Sequence, residues 1–275
     1  MALRHALAVP PGSQLENSTM NPDFHGKTAI VTGAAHGFGR TICLALAEQG
    51  AHVWALDVVA DELALTALQC ADQGQGSCQA RSVDVTDAGA VQALVAEVCA
   101  NHGHVDILVN NAGGVLGQVG RPLETVTPAE WNAILAVNLS GAFYLCQAVA
   151  PGMKAAKYGR IVNISSGAGL TVSLTGIQAY AAAKAGVISL TRQLCHELGE
   201  FGITVNCIAP GFVRSNANTE RQWQAMGEQG QQALLKNIAL RRLGTPHDIA
   251  HGVLFFASER SGWVSGQTIA IDGGK

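Results

Sequence analysis

The stretch KTAIVTGAAHGFGR, residues 27–40, decides how the chain is read. A short run rich in strand formers, KTAIVT (27–32), passes directly into a turn holding Gly33, Gly37 and Gly39, and a helical pattern follows at once. Glycines in such a turn let the backbone approach a pyrophosphate and let the helix pack closely on the strand. The helix N-terminus then offers its unpaired N–H groups to the phosphates. The spacing is G-x-x-x-G-x-G rather than G-x-G-x-x-G. Any tight strand–helix turn favours glycine, so the motif draws its weight from its surroundings.

Those surroundings begin with Asp57, which closes a second strand-like run, HVWALD (52–57). A carboxylate there can accept hydrogen bonds from adenosine ribose hydroxyls and repels a 2′-phosphate. No basic residue follows it in DVVADEL (57–63), which points to NAD; the alternative is an N-cap aspartate for the next helix. Asp84 and Val85, after a third strand, are expected against adenine, and NNAGG (110–114) is expected to close the fourth strand beneath the cofactor.

Further out, strand-like runs at 79–85, 106–110, 160–165, 203–208 and 267–272 alternate with helix-like stretches near 38–49, 60–72, 87–101, 127–150, 178–200 and 246–258. Alternation with near-continuous apolar strands predicts an α/β fold: one doubly wound, Rossmann-type domain with a parallel sheet of about seven strands and helices on both faces. The domain is expected over 23–275, preceded by a mobile extension, 1–22, that makes a poor signal peptide. Residues 214–240 are polar and rich in Gln and Asn and break the rhythm, as an active-site lid or a plain surface hairpin would.

Composition narrows the function. The 275 residues are 48% hydrophobic and 13% charged, with a net charge of −3, which fits a large dry core and disfavours a nucleic-acid or anionic-membrane binder. No uninterrupted apolar run approaches the roughly 20 residues of a membrane span. The seven cysteines are scattered without a C-x-x-C pair, as expected of buried thiols in a reducing, cytoplasmic compartment. His247 and His251 have the spacing of helical metal ligands, but no Glu lies between them, so no metal site is expected.

AYAAAKAGV (179–187) carries the chemistry. Tyr180 and Lys184, four residues apart on a helix, share a face. A nearby ammonium is expected to pull a phenol below its ordinary pKa near ~10 and make it a proton donor and acceptor. VNISS ends the preceding strand with Ser165 and Ser166 at the C-terminal edge of the sheet, where ligands of open α/β folds bind. AVNLSG puts Asn138 inside a helix, where an amide needs partners.

In TGAAHGFG, NNAG, VNL, NISS, YAAAK, NCIAPGFV and a closing IDGG, the chain resembles the short-chain dehydrogenase/reductase family from about Lys27 to Gly274. The resemblance implies a 3-2-1-4-5-6-7 strand order, a homotetramer, and Tyr180 as general acid/base. Lys184 would lower the tyrosine's pKa and bind the nicotinamide ribose, Ser166 would orient the reacting oxygen, and Asn138 would hold a water in a proton relay. Around NAD it implies Gly33, His36, Gly37, Phe38, Gly39, Asp57, Asp84, Val85, Asn111, Ala112, Gly113, Tyr180, Lys184, Pro210, Gly211, Val213 and Ser215. His36 fills the slot where NADP-preferring relatives often carry a basic residue. The loop from Ser166 to Tyr180 is about a residue longer than in many relatives, which leaves Ser165 a claim to the serine role. Ser215 stands where relatives often have a threonine.

The leading expectation is a NAD-dependent enzyme interconverting a secondary alcohol and a ketone. Arg214, Asn216 and Trp223 in the lid, with Ser166, suggest a polar small molecule such as a sugar, polyol or sugar acid. One alternative is a 3-oxoacyl thioester reductase, which would favour NADPH. Another is a catalytically inactive nucleotide-binding scaffold, whose members typically lose the Tyr or Lys.

Overall fold

In a computed structural model that describes residues 23–72 and 75–275, the chain alternates strands β1 (Thr28–Thr32), β2 (His52–Asp57), β3 (Ser77–Ser82), β4 (Ile107–Asn110), β5 (Gly159–Ile164), β6 (Ile203–Pro210) and β7 (Thr268–Ile271) with helices. The predicted extension, 1–22, lies outside the described residues. The sheet is wholly parallel in the order β3-β2-β1-β4-β5-β6-β7, the order the resemblance implies. Every residue of β1, β4, β5 and β6 is buried, because helices cover both faces of these strands. The third strand pairs only with β2 and alternates in exposure, as an edge strand does.

One face carries α1 (Gly37–Glu48), α2 (Ala60–Ala71) and α9 (Pro246–Ala257), which bury Ile42, Leu46, Leu63, Ile249, Val253 and Phe256. The other carries α3 (Ala88–His102), α5 (Gly141–Ala156) and α6 (Gln178–Leu198), with Val91, Leu94, Leu145, Val149, Met153 and Leu198 in a second cluster. The result is a single Rossmann-like α/β domain. Its winding reverses between β1 and β4, and this opens a crevice at the carboxyl edge of those strands.

Helix α4 (Pro128–Leu135) starts in a capping box between Thr127 and Glu130 and runs through a π-helical segment, Ala136–Ser140, into α5. The continuous helix Pro128–Ala156 is long and apolar enough, by length and composition alone, to cross a membrane, as the core helix of a domain can also be. Polar residues such as Asn138 and Ser140 interrupt the apolar run, which stays apolar on average. Its buried side packs against the sheet and α3.

The polar segment folds as two helices, α7 (Ala217–Ala225) and α8 (Gly227–Asn237). Neither α7 nor its turns bury a side chain fully, and α8 buries only Leu234.

Candidate active site

The glycine turn is shaped by contact. Gly33 and Gly37 have φ of +63° and +56°, which L side chains rarely adopt. A Cβ on Gly39 would fall 2.0 Å from the Gly33 carbonyl oxygen, so only glycine lets α1 come this close to β1. A Cβ on Gly37 would sit 2.9 Å from the Ser215 carbonyl oxygen. At the head of α1, the exposed N-cap His36 supplies no side-chain hydrogen bond, and the first turn, with Phe38, holds no acidic residue. The helix N-terminus is left to an anion, and this donor set fits the diphosphate of a dinucleotide.

Asp57 ends β2 beside that turn. Its Oδ2 accepts from Ala35 N–H at 3.0 Å, and its Oδ1 from Val58 and Val59 N–H at 2.7 and 3.1 Å. The N-cap of α2 is Val59, so Asp57 is not the cap of that helix; it ties the glycine turn to the strand end and stays partly open. The exposed Asp84 accepts from Thr86 N–H and Oγ1–H, both at 2.8 Å. Val85 is buried, and a Cβ on Gly141 would lie 2.8 Å from its methyl.

Thr32, which sequence reading passed over, organises the loop after β4. Its Oγ1 accepts from Asn111 and Ala112 N–H at 3.0 and 2.9 Å. Asn111 Nδ2 donates back to Thr32 and Gly33 carbonyls at 2.9 and 3.1 Å, so the amide braces the glycine turn instead of facing outward. A threonine ending the first strand directly before the glycines is the only signal that could have found it. A Cβ on Gly113 would meet Asn138 Oδ1 at 2.5 Å and Lys184 Nζ at 3.2 Å, so three candidate residues converge there.

The reaction centre combines β5, α6 and the π segment. Ser165 is buried and donates to the Lys184 carbonyl at 2.8 Å, which turns it into the base of α6. Ser166 is half-buried, accepts from Ala168 N–H at 3.2 Å, and meets the Tyr180 phenol. Lys184 is buried with Nζ 5.8 Å from the Tyr180 ring centre and donates to the Ile164 carbonyl at 3.0 Å. Burial lowers its pKa to about 8. The expected lowering of the tyrosine pKa by the lysine is not what the chain alone produces. Burial raises the Tyr180 pKa, against which only the Ser166 hydroxyl pulls. Asn138, in the π turn, has both Nδ2 hydrogens engaged, donating to the Gly114 and Ile134 carbonyls at 2.8 and 2.9 Å, and Oδ1 accepts from Gly114 N–H at 2.9 Å.

On the far side of the crevice, Pro210 ends β6, Gly211 N–H donates to the Ile271 carbonyl at 3.0 Å, and Val213 is buried and bridged to Gly244. Ser215 is held through its N–H, which donates to Thr219 Oγ1 at 2.9 Å. Two of the residues expected to greet a polar substrate are otherwise engaged. Arg214 pairs with Glu220 at 2.7 and 3.0 Å and lies over the Trp223 ring. Asn216 caps α7, its Oδ1 accepting from Asn218 and Thr219 N–H at 2.9 and 3.0 Å. Trp223 itself stays half-exposed, 6.2 Å from Phe212. His247 and His251 are exposed on α9.

A family model described as enoyl-(acyl carrier protein) reductase matches residues 33–275. Over 249 residues the chain is 39% identical to the (2S)-[(R)-hydroxy(phenyl)methyl]succinyl-CoA dehydrogenase subunit BbsD of Thauera aromatica, covering 90% of this chain and 96% of that protein. Over another 249 residues it is 37% identical to the 3-oxoacyl-[acyl-carrier-protein] reductase FabG of Thermotoga maritima, covering 90% and 97%. A crystal structure of a 3-oxoacyl-[acyl-carrier protein] reductase with bound NAD from Brucella melitensis superposes with a TM-score of 0.82 at 34% identity, over 92% of each chain. With the parallel sheet, the glycine turn and the serine–tyrosine–lysine grouping, these likenesses show that the chain belongs to the short-chain dehydrogenase/reductase family.

Proposed function

We propose that this chain is a NAD-dependent enzyme that interconverts a secondary alcohol and a ketone. Family membership makes it an oxidoreductase that uses a nicotinamide nucleotide. The observation that carries the finer reading is the meeting of Ser166, Tyr180 and Lys184 at the sheet edge, across the crevice from a glycine turn bordered by Asp57. When bound, the nicotinamide supplies or takes up the hydride. Tyr180 gives a proton to the oxygen of a reduced carbonyl or removes one from an alcohol, and Ser166 donates a hydrogen bond to that oxygen. Lys184, fixed by the Ile164 carbonyl, places a positive charge beside the phenol and the cofactor ribose. Asn138 holds the Gly114 backbone and with it the floor of the nicotinamide site. Because burial raises the phenol's pKa, it rests as an acid at neutral pH, which suits reduction; alcohol oxidation gains as pH rises toward that pKa.

The proposal includes a homotetramer, as the resemblance implies, in the reducing cytoplasm that the scattered cysteines suggest. A sugar, polyol or sugar acid is the polar version of the substrate, and its support is the lid composition. That support shrinks once Arg214 is paired and Asn216 caps a helix. Reduction of the 3-oxo group of a 3-oxoacyl thioester is a second reading, favoured by the names of the relatives.

The test is the ratio of kcat/KM for NAD and NADP. A lost charge-assisted hydrogen bond is worth about 1.5–3 kcal/mol, so NAD should lead by about tenfold or more. Asp57→Asn, which keeps an acceptor for the turn but removes the charge, and Asp57→Ala should both narrow the ratio. Preference for NADP in the wild type, or a ratio unmoved in both variants, would reduce Asp57 to a brace for the glycine turn.

A further inference from the structure

The two loops that leave the reaction centre expose apolar side chains to solvent. The first runs from Gly113 and Gly114, held by Asn138, to Arg121; the second links Ser166 to Tyr180. They touch: a Cβ on Gly120 would fall 2.7 Å from the Thr175 carbonyl oxygen, and Gln178 Nε2 donates to the Arg121 carbonyl at 3.1 Å.

Beyond Ser166, their polar side chains are spent within the protein, apart from the exposed Thr171. Gln118 donates to the Glu130 carbonyl at 3.0 Å, Arg121 pairs with Glu130, and Ser173 and Thr175 share a hydrogen bond of 2.7 Å. No charged residue occurs in 113–120 or 165–177. What faces outward is Leu116 and Val119 from the first loop and Leu170, Val172 and Leu174 from the second, with Val172 89% exposed and Val119 73%. Leu116 and Val119 also line a cavity of about 540 Å³ between the first loop and α4. It does not reach Ser166 or Tyr180, and Gln118, Arg121 and Glu130 share its lining. Exposed apolar surface of this kind, contiguous with a reaction centre, has a ligand's apolar group as its natural cover.

We infer that these loops form an apolar collar that recognises the substrate, which is a secondary alcohol or ketone carrying an aryl or branched alkyl group and not a sugar or polyol. The inference rests on the proposed alcohol–ketone reaction only for its turnover arm. Each carbon group moved from water onto such a surface gains a factor of several in affinity.

The experiment compares 1-phenylethanol, 2-propanol and sorbitol as substrates, with acetophenone as a binding probe followed by saturation-transfer NMR. Wild-type kcat/KM should favour 1-phenylethanol over 2-propanol by about tenfold or more, with sorbitol last. Val172→Asn and the double variant Val119→Asn/Val172→Asn alter exposed positions outside the reaction centre. They should raise KM for 1-phenylethanol about three- to tenfold, leave turnover of 2-propanol unchanged, and weaken the acetophenone signal. Preference for sorbitol, or variants indistinguishable from wild type in both KM and acetophenone binding, would overturn the collar. So would variants that change only the oligomeric state by light scattering, which would make the collar a contact between copies of the chain. If no alcohol turned over, the reaction assignment would fail, yet acetophenone binding lost in the variants would still support the collar, and absence of binding would overturn it.

Discussion

The glycine turn of residues 33–39 and the helical pair of 217–237 border the same crevice, and they are built in opposite ways. In the turn, backbone meets backbone: one added Cβ at Gly39 would collide with the Gly33 carbonyl, and Asn111 and Asp57 brace what remains. In the helical pair little is buried, and the polar side chains satisfy one another, Arg214 with Glu220 and Asn216 with the end of α7. The difference teaches that a ligand common to a whole family leaves steric demands which only particular residues meet. A surface facing a variable substrate leaves a composition, and composition does not say whether a polar group is free.

The largest expected effect falls on the reaction centre, across the crevice from the glycine turn. Tyr180→Phe keeps the ring and its packing and deletes the proton, so turnover should drop by about 10² or more while NADH affinity, read by fluorescence, is unchanged. An active variant would mean that Tyr180 does no proton transfer.

A smaller effect, opposite in sign for stability, comes from Lys184. Its folded pKa of about 8 lies below the unfolded value, so the unfolded chain binds more protons between about pH 8 and 10.5 and wild-type stability rises across that window. Lys184→Met should therefore stabilise the nucleotide-free protein at pH 7, by about 2 kcal/mol after allowing for the orphaned Ile164 carbonyl, while destroying activity. The gain should shrink as pH climbs from 8 toward 10.5. Denaturant titrations at pH 7 and pH 10 check it, and a destabilised variant with no pH trend would show that the buried ammonium carries no stability cost.

The smallest effect belongs to the adaptable side. Asn216→Ala removes the cap of α7, worth about 1 kcal/mol, so hydrogen exchange across residues 217–225 should quicken about fivefold with little change in overall Tm. A large loss of global stability would sharpen the contrast in reverse, by showing that the pair is welded to the core.

Much of the fold was legible because strand and helix periods alternate cleanly and β1, β4, β5 and β6 are apolar throughout. The grouping of Ser166, Tyr180 and Lys184 was legible from motif and helical spacing. Which serine turns toward the phenol needed coordinates, because the turn after β5 sends Ser165 into α6 and no period predicts that. The tyrosine's pKa needed them as well. An i, i+4 pair fixes which face two groups share, but not that the ammonium reaches for the Ile164 carbonyl while burial governs the phenol. The π turn at Asn138 was hidden because a helix with one extra residue per turn has no compositional mark. The apolar collar was hidden among loop residues whose neighbours in space are not their neighbours in sequence.

The hydrogen bonds between Asn138 and Gly114 have a practical corollary for redesign. They clamp one end of the first loop to the helix behind the reaction centre, and the Arg121 contacts with Glu130 and Gln178 clamp the other. Residues 115–119 form a short cartridge between these posts, tied in its middle by Gln118 to the Glu130 carbonyl, and exchanging it is a route to new substrates that leaves Ser166, Tyr180 and Lys184 where they stand.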